Sequence, residues 1–264
     1  MSPILEASGV TYRSGGRALV AEIDLVIAQG SFTIVVGPNG AGKSTLMRLL
    51  CGELTPSQGA VLLEERPLTA ISAWRLAHAR AVMPQASELS FPFTAFEVAS
   101  LGVEGIGRGL SRRDRQRLTL HALDRADVAH LAGRNYQTLS GGERQRVHFA
   151  RVLAQLAAGR TVETRQVLFL DEPIANLDLK HQLALLETAR ELTHDGLTVV
   201  AVLHDLQLAV GIGDDMILMD EGRLVARGAP HAVLTPERLA AVFGVVVNAG
   251  QLPPVPWRLA QAEL

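Results

Sequence analysis

The chain has 264 residues, 48% of them hydrophobic and 20% charged, which allows a sizeable core and excludes a disordered polyelectrolyte. Its formal net charge of −2 gives no global attraction to nucleic acid, and no nucleic-acid partner is expected. The single cysteine, Cys51, excludes an intrachain disulfide and a thiolate metal cluster, and suits a reducing compartment.

The N-terminal stretch lacks a basic region followed by an apolar segment and a cleavage site, so it does not read as a secretory signal. No apolar run approaches the roughly 20 residues needed to cross a bilayer, and a soluble or peripheral protein is expected. Apolar, β-branched runs at 4–10, 19–27 and 32–36 predict strands. The third leads directly into Gly37, Pro38, Asn39, Gly40, Ala41, Gly42, Lys43, Ser44 and Thr45, and then into Leu46, Leu49 and Leu50 at helical spacing. Strand, glycine loop and helix is the order a phosphate cradle requires. Glycines let backbone N–H groups turn inward, and the helix start adds its positive dipole. In such a cradle Lys43 reaches the β- and γ-phosphates and Ser44 ligates Mg²⁺. Lys43 and Lys180 are the only lysines among 25 basic side chains, so the loop keeps a lysine in a chain that otherwise uses arginine.

Further strands are predicted at 60–63 and 79–83, the second followed by Gln85. After position 85 the periodicity becomes helical, over 94–101, 112–132 and 141–157, and reads as a helical insertion in an α/β core. The apolar segment 90–98 fits either local core packing or a groove for a partner. Ser140 with Glu143 three residues on forms a capping-box pattern, and Gly141 and Gly142 leave the amides of that helix start unobstructed. No strand precedes it, so it is not a second phosphate loop of the same kind. The polar stretch 157–166 reads as a surface loop.

The run 167–170 is continuously apolar, as a strand buried on both faces should be, and it delivers Asp171 and Glu172. Two adjacent acids at the end of a hydrophobic strand cost solvation unless a cation or partner meets them. Another apolar strand, 198–203, ends at His204. On residue type alone, Gln85 and His204 fit a structural role as well as a catalytic one. The runs 216–219 and 223–226 flank a turn at Asp220, Glu221 and Gly222 and predict an antiparallel hairpin. His121, His130 and His181 lack metal-ligand spacing and read as helix-surface residues. The proline-rich stretch 252–256 reads as extended.

Leu139-Ser140-Gly141-Gly142-Glu143, taken with the glycine loop and the acidic strand end, resembles the ATP-binding cassette family of transport ATPases. The resemblance covers nearly the whole chain, with the motifs in the family's order. It implies that Tyr12 stacks on adenine, that residues 37–45 are the Walker A loop, and that Gln85 is the Q-loop glutamine. It also implies that residues 139–143 are the signature motif, 167–172 Walker B with Glu172 as catalytic glutamate, Leu177 and Asp178 the D-loop, and His204 the switch histidine. Ile174 and Asn176 stand where the family commonly has small or hydroxylated residues, which implies modest tuning of a dimer contact.

The implied fold is α/β, a P-loop NTPase core with an antiparallel β subdomain and an inserted α-helical subdomain. The chain would form one cassette: 1–85 and 163–235 as core, 86–162 as the signature subdomain, and 236–264 as a tail packed on the core. Members pair head to tail, so each signature loop closes on the ATP of the other subunit; a homodimer follows. The resemblance implies in-line attack of water on the γ-phosphate with Glu172 as base or water-orienting group, Mg²⁺ held by Ser44 and Asp171 together with Gln85, and charge stabilised by Lys43 and the partner's signature loop.

The segments 79–85, 91–93 and 145–156, with the polar stretch before Walker B, further resemble the ATPase subunits of bacterial hemin importers. That implies a transmembrane permease dimer, a periplasmic heme-binding protein acting through the permease, and a place on the cytoplasmic face of the inner membrane. Importers of iron-siderophores or vitamin B12 share the architecture and are the alternative. Cassette ATPases without membrane partners usually carry two cassettes or long coiled-coil insertions, neither of which is present.

Overall fold

The chain opens with an antiparallel pair, β1 (Pro3–Ser14) and β2 (Arg17–Ala28), turned through Gly15 and Gly16 at φ 56° and 81°; burial alternates from Glu22 to Ile27 of β2, whereas register shifts interrupt β1. The computed structural model describes residues 2–85 and 91–246. β3 (Phe32–Val36) is buried at every position, Thr33 included, and leads through the glycine loop to α1 (Lys43–Leu50). β4 (Gln58–Leu63) pairs antiparallel with β1, and the two-residue β5 (Arg66–Pro67) pairs with β4. β5 is too short to have a period that sequence could reveal.

Next come α2 (Ala73–Ala79), capped by the Ser72 hydroxyl, and β6 (Arg80–Met83). Three helices follow, α3 (Ala95–Glu104), α4 (Arg112–Arg125) and α5 (Gly141–Gly159), and then β7 (Val167–Asp171) and α6 (Leu179–His194). The chain continues as β8 (Thr198–Val202), α7 (Leu206–Ile212), β9 (Asp215–Asp220), β10 (Arg223–Gly228), α8 (Pro230–Val233) and α9 (Pro236–Phe243).

The helix predicted over 112–132 stops at Arg125. Asp127 takes a left-handed φ of 54°, and a 3₁₀ turn at Ala129–Leu131 carries His130. The polar stretch 157–166 is not a plain surface loop: α5 extends into it, and Gln166 is buried, its Nε2 donating to the carbonyls of His78 at 2.8 Å and Leu156 at 3.0 Å. Ser90 and the stretch 252–256 lie outside the described residues.

Contacts group the chain into two units, with boundaries at 71/72 and 192/193. In the first, the antiparallel sheet runs β2-β1-β4-β5, and the strands of the second sheet run β10-β9-β3-β8. β3 is parallel to both β8 and β9, while β9 and β10 form the expected antiparallel hairpin. In the second unit, β6 and β7 are parallel neighbours, α3, α4 and α5 pack together, and α5 also packs on α2 and β6. Grouping by contacts therefore places β6 and β7 with the helices, whereas the family resemblance implies a helical subdomain confined to 86–162.

Candidate functional site

In the first unit, the glycine loop is pressed between the end of β9 and the backbone of β2. A Cβ on Gly37, at φ 152°, would collide with the Met219 carbonyl oxygen; one on Gly42, at φ 93°, would lie 2.6 Å from the Leu19 carbonyl oxygen. Hydrogen alone fits at both positions, and the left-handed φ of Gly42 strains any side chain. The Ala41 N–H donates to the Pro38 carbonyl at 3.2 Å and tightens the turn. α1 then starts from Gly42 with no side chain capping it, so backbone alone presents the positive end of the helix.

Lys43 is 5% exposed, and its Nζ donates to the carbonyls of Gly37 and Pro38, each at 2.9 Å. The ammonium is thereby held over the loop. Asn39 and Gly40 are exposed at its tip, and Ser44 and Thr45 are half-buried in the first turn of α1. The half-buried Tyr12 pairs with Val20 across β1 and β2, next to the Leu19 carbonyl that abuts Gly42, so it stands one strand from the loop. The parallel register sets Val35 beside Val202, and the Leu203 N–H donates to the Val35 carbonyl at 3.3 Å. The exposed His204 thus leaves β8 at the end where β3 enters the glycine loop.

In the second unit, the register of β6 and β7 sets Met83 beside Leu170, which brings Gln85 level with Glu172. The Gln85 Nε2 donates to Glu172 Oε2 at 2.7 Å. Asp171 is 7% exposed at the end of β7, whose five residues are all buried. Glu172 adopts φ 51°, a left-handed conformation that is uncommon for a residue with a side chain.

The helix start at Ser140 has the predicted capping box. Ser140 Oγ accepts from the Glu143 N–H at 3.3 Å, and the Ser140 N–H donates to Glu143 Oε2 at 2.7 Å. The Ser140 backbone N–H, then its hydroxyl, hold the Glu143 carboxyl below its ordinary pKa. Gly141 lies against the Asn176 side chain, and a Cβ on Gly142 would come within 3.0 Å of the Asn176 carbonyl oxygen. Asp178 caps α6, accepting from the His181 N–H at 3.0 Å and meeting His181 Nδ1 at 2.7 Å; the backbone bond is the main cause of its lowered pKa.

His181 is more than a helix-surface residue, because its Nε2 also stands 3.7 Å from Asp127 Oδ2. Its i, i+3 spacing from Asp178 is visible in sequence, whereas the approach of Asp127 is not. In the apolar segment after Gln85, Ala95 and Val98 are core residues and Phe91 is 69% exposed, so only part of it is consumed by packing. Ile174 is buried at 7% exposure. Among the described residues no cluster of three or more His, Cys, Asp and Glu could hold a metal ion, and no helix is long and apolar enough to cross a membrane.

Residues 20–175 match the model of a family described as ABC transporter. The chain is 42% identical over 261 residues to the hemin import ATP-binding protein HmuV of Rhizobium meliloti (strain 1021), covering 98% of this chain and 99% of that one. It is 46% identical to the protein of the same name from Hahella chejuensis (strain KCTC 2396), covering 92% and 93%. Among solved structures, it resembles cbiO1 from Clostridium perfringens, part of the ABC transporter complex cbiONQ, with TM-score 0.75, 26% identity and coverage of 91% and 94%. A dimeric, ADP- and Pi-bound post-hydrolysis state of the ATP-binding cassette MJ0796 matches with TM-score 0.75, 25% identity and coverage of 86% and 99%.

Proposed function

The chain belongs to the ABC transporter family, and on that premise we propose that it is the ATP-hydrolysing subunit of a bacterial importer that carries hemin across the inner membrane. The cargo rests on one observation: relatives named for hemin import are 41–46% identical to this chain over nearly all of its length. In this reading two copies pair head to tail on the cytoplasmic face of a transmembrane permease dimer, and a periplasmic heme-binding protein delivers cargo to the permease. Two solved relatives are described as a dimeric cassette and as part of a transporter complex, which supports the assembly.

The loop at Gly37 and Gly42 packs so closely on the Met219 and Leu19 carbonyls that no Cβ fits; its backbone N–H groups and the uncapped start of α1 suit a polyphosphate, and Lys43 is already drawn over it. The family resemblance assigns Mg²⁺ to the Ser44 hydroxyl, the Asp171 carboxylate and the Gln85 amide oxygen, which are oxygen donors of the kind that ion takes. Bound there, the ion would neutralise charge developing on the phosphates.

This chain's residues divide the remaining work. Tyr12 stacks on adenine, and the backbone of 37–45 binds the phosphates. Lys43 moves its ammonium from the two loop carbonyls to phosphate oxygens. Glu172, aimed by Gln85, orients the attacking water and takes its proton. His204 contacts the γ-phosphate. Ser140, Gly141, Gly142, Glu143 and Asp178 serve the ATP of the partner copy.

The test is reconstitution in vesicles with the cognate permease and heme-binding protein, comparing uptake and ATP turnover with hemin, ferric siderophore and cobalamin. Hemin alone should drive ATP-dependent uptake. Uptake of siderophore or cobalamin in its place would reassign the cargo.

A further inference from the structure

We propose that Gln145 is a positioning residue for Glu172, through which the helix that starts with the signature motif fixes the backbone of the hydrolytic glutamate. The inference rests on the ATPase reading above and adds a link within one chain between its own catalytic group and the loop that serves the partner's ATP.

Glu172 needs external restraint. It holds φ 51° although it carries a side chain and precedes Pro173, whose ring itself disfavours helical conformations in the residue before it. Backbone of this kind persists only where its surroundings over-determine it. The Gln85 amide restrains the carboxylate, at 2.7 Å, but not the main chain. On the main-chain side, the Ala175 N–H reaches the Glu172 carbonyl at a long 3.4 Å. Gln145 adds a second hold, whose shorter contact falls on the carbonyl of the next residue, Pro173. Its Nε2 donates to the Pro173 carbonyl at 3.0 Å and approaches the Glu172 carbonyl at 3.5 Å, using the two hydrogens of one amide.

Gln145 is suited to this by where it stands. It is 8% exposed, in the second turn of the 19-residue α5, which packs against both α3 and α4. A buried glutamine on a helix this well held has few alternatives, so its amide is a stiff support. The same end of α5 also packs through Gly142 on the Asn176 carbonyl, and Arg146 donates to the Asp127 carbonyl at 2.7 Å and to Asp127 Oδ2 at 3.0 Å. The signature helix start and the loop from Glu172 to Asp178 thus form one packed piece. A tilt of the helix start on closing over the partner's ATP therefore shifts the Glu172 main chain, and the continuous contacts give that coupling its physical route.

Gln166 provides a matched control. It too is buried, and its Nε2 also donates to two carbonyls, but at the opposite end of β7 from Glu172. The experiment measures ATP turnover, KM and thermal midpoint of the full chain assembled with its permease, for wild type, Gln145→Met, Gln145→Glu and Gln166→Met.

Both Gln145 variants should lower kcat by about tenfold or more with KM within about twofold, the split expected when a transition-state interaction is lost. Gln166→Met should lower the thermal midpoint and keep kcat within about twofold. Equal loss of kcat in Gln166→Met, or wild-type turnover in Gln145→Met, overturns the positioning role. Should Gln145→Met not fold, Gln145→Asn decides, since it keeps the amide and shortens its reach; a folded variant with wild-type kcat overturns the role. Absence of ATP turnover in the wild-type assembly would instead remove the ATPase reading itself.

Discussion

Gln85 and Glu172 are 87 residues apart in sequence and joined by a 2.7 Å hydrogen bond, because parallel strands β6 and β7 end level with one another. The amide aims a carboxylate whose own backbone is in a strained conformation. Glu172→Gln keeps the side chain's size and removes its basicity. ATP should still bind, turnover should fall by about a hundredfold or more, and the protein should accumulate as an ATP-bound dimer visible by size-exclusion chromatography with light scattering. Hydrolysis at the wild-type rate would take Glu172 out of its assigned role.

Lys43 and Gly42 test the phosphate cradle separately. Lys43→Ala removes an ammonium held on two carbonyls and should weaken binding of a fluorescent ATP analogue by about tenfold or more. Gly42→Ala places a methyl group 2.6 Å from the Leu19 carbonyl oxygen at a left-handed φ. It should cost about 1–3 kcal/mol in stability and distort the loop, read by denaturant unfolding and by the same titration. Wild-type affinity in both variants would mean that nucleotide binds elsewhere.

Ser140→Arg should abolish turnover and leave nucleotide binding by the monomer nearly intact, because the signature loop is expected to serve the opposite subunit. Equilibrium titration at protein concentrations below dimerisation is the appropriate measurement. Loss of binding there would contradict the composite arrangement.

Acid should weaken the helix starts before it affects the apolar core. The carboxyl of Glu97 is held below its ordinary value by the Thr94 backbone N–H first and then by the Thr94 hydroxyl; those of Glu143 and Asp178 are lowered similarly. With folded pKa values below the unfolded ones, these groups contribute stability that is fully present above about pH 4–4.5 and is lost as pH falls through the folded values. Glu97→Gln keeps the capping-box geometry of α3 without the charge. Its thermal midpoint should lie below wild type at pH 7 and meet it in acid; curves that stay parallel from pH 7 to pH 3 would show that ionisation of Glu97 contributes nothing.

Most of the architecture was legible because its signals are local. The buried run 32–36 and the Ser140 capping box appear in the structure at the positions their patterns predict. Local pattern failed where distant groups decide. Helical periodicity runs through Asp127, yet the left-handed turn there ends α4 and brings the Asp127 carboxylate to Arg146 and His181. Gln166 looks like part of a polar loop, but its amide is buried because two carbonyls, from His78 and Leu156, receive it.

The sequence by itself determined the chemistry: which residues can cradle phosphate, supply carboxylates and start a capped helix, and in what order along the chain. Those properties follow from residue type, spacing and backbone freedom, all of them short-range. Tertiary structure alone decided which groups meet. Strand register sets Gln85 beside Glu172 and brings His204 to the end of the sheet where the glycine loop begins, and helix packing carries the Gln145 amide to the Pro173 carbonyl, 28 residues away. Such pairings join elements far apart in the chain, and the spacing within any one element does not state which distant element it docks against.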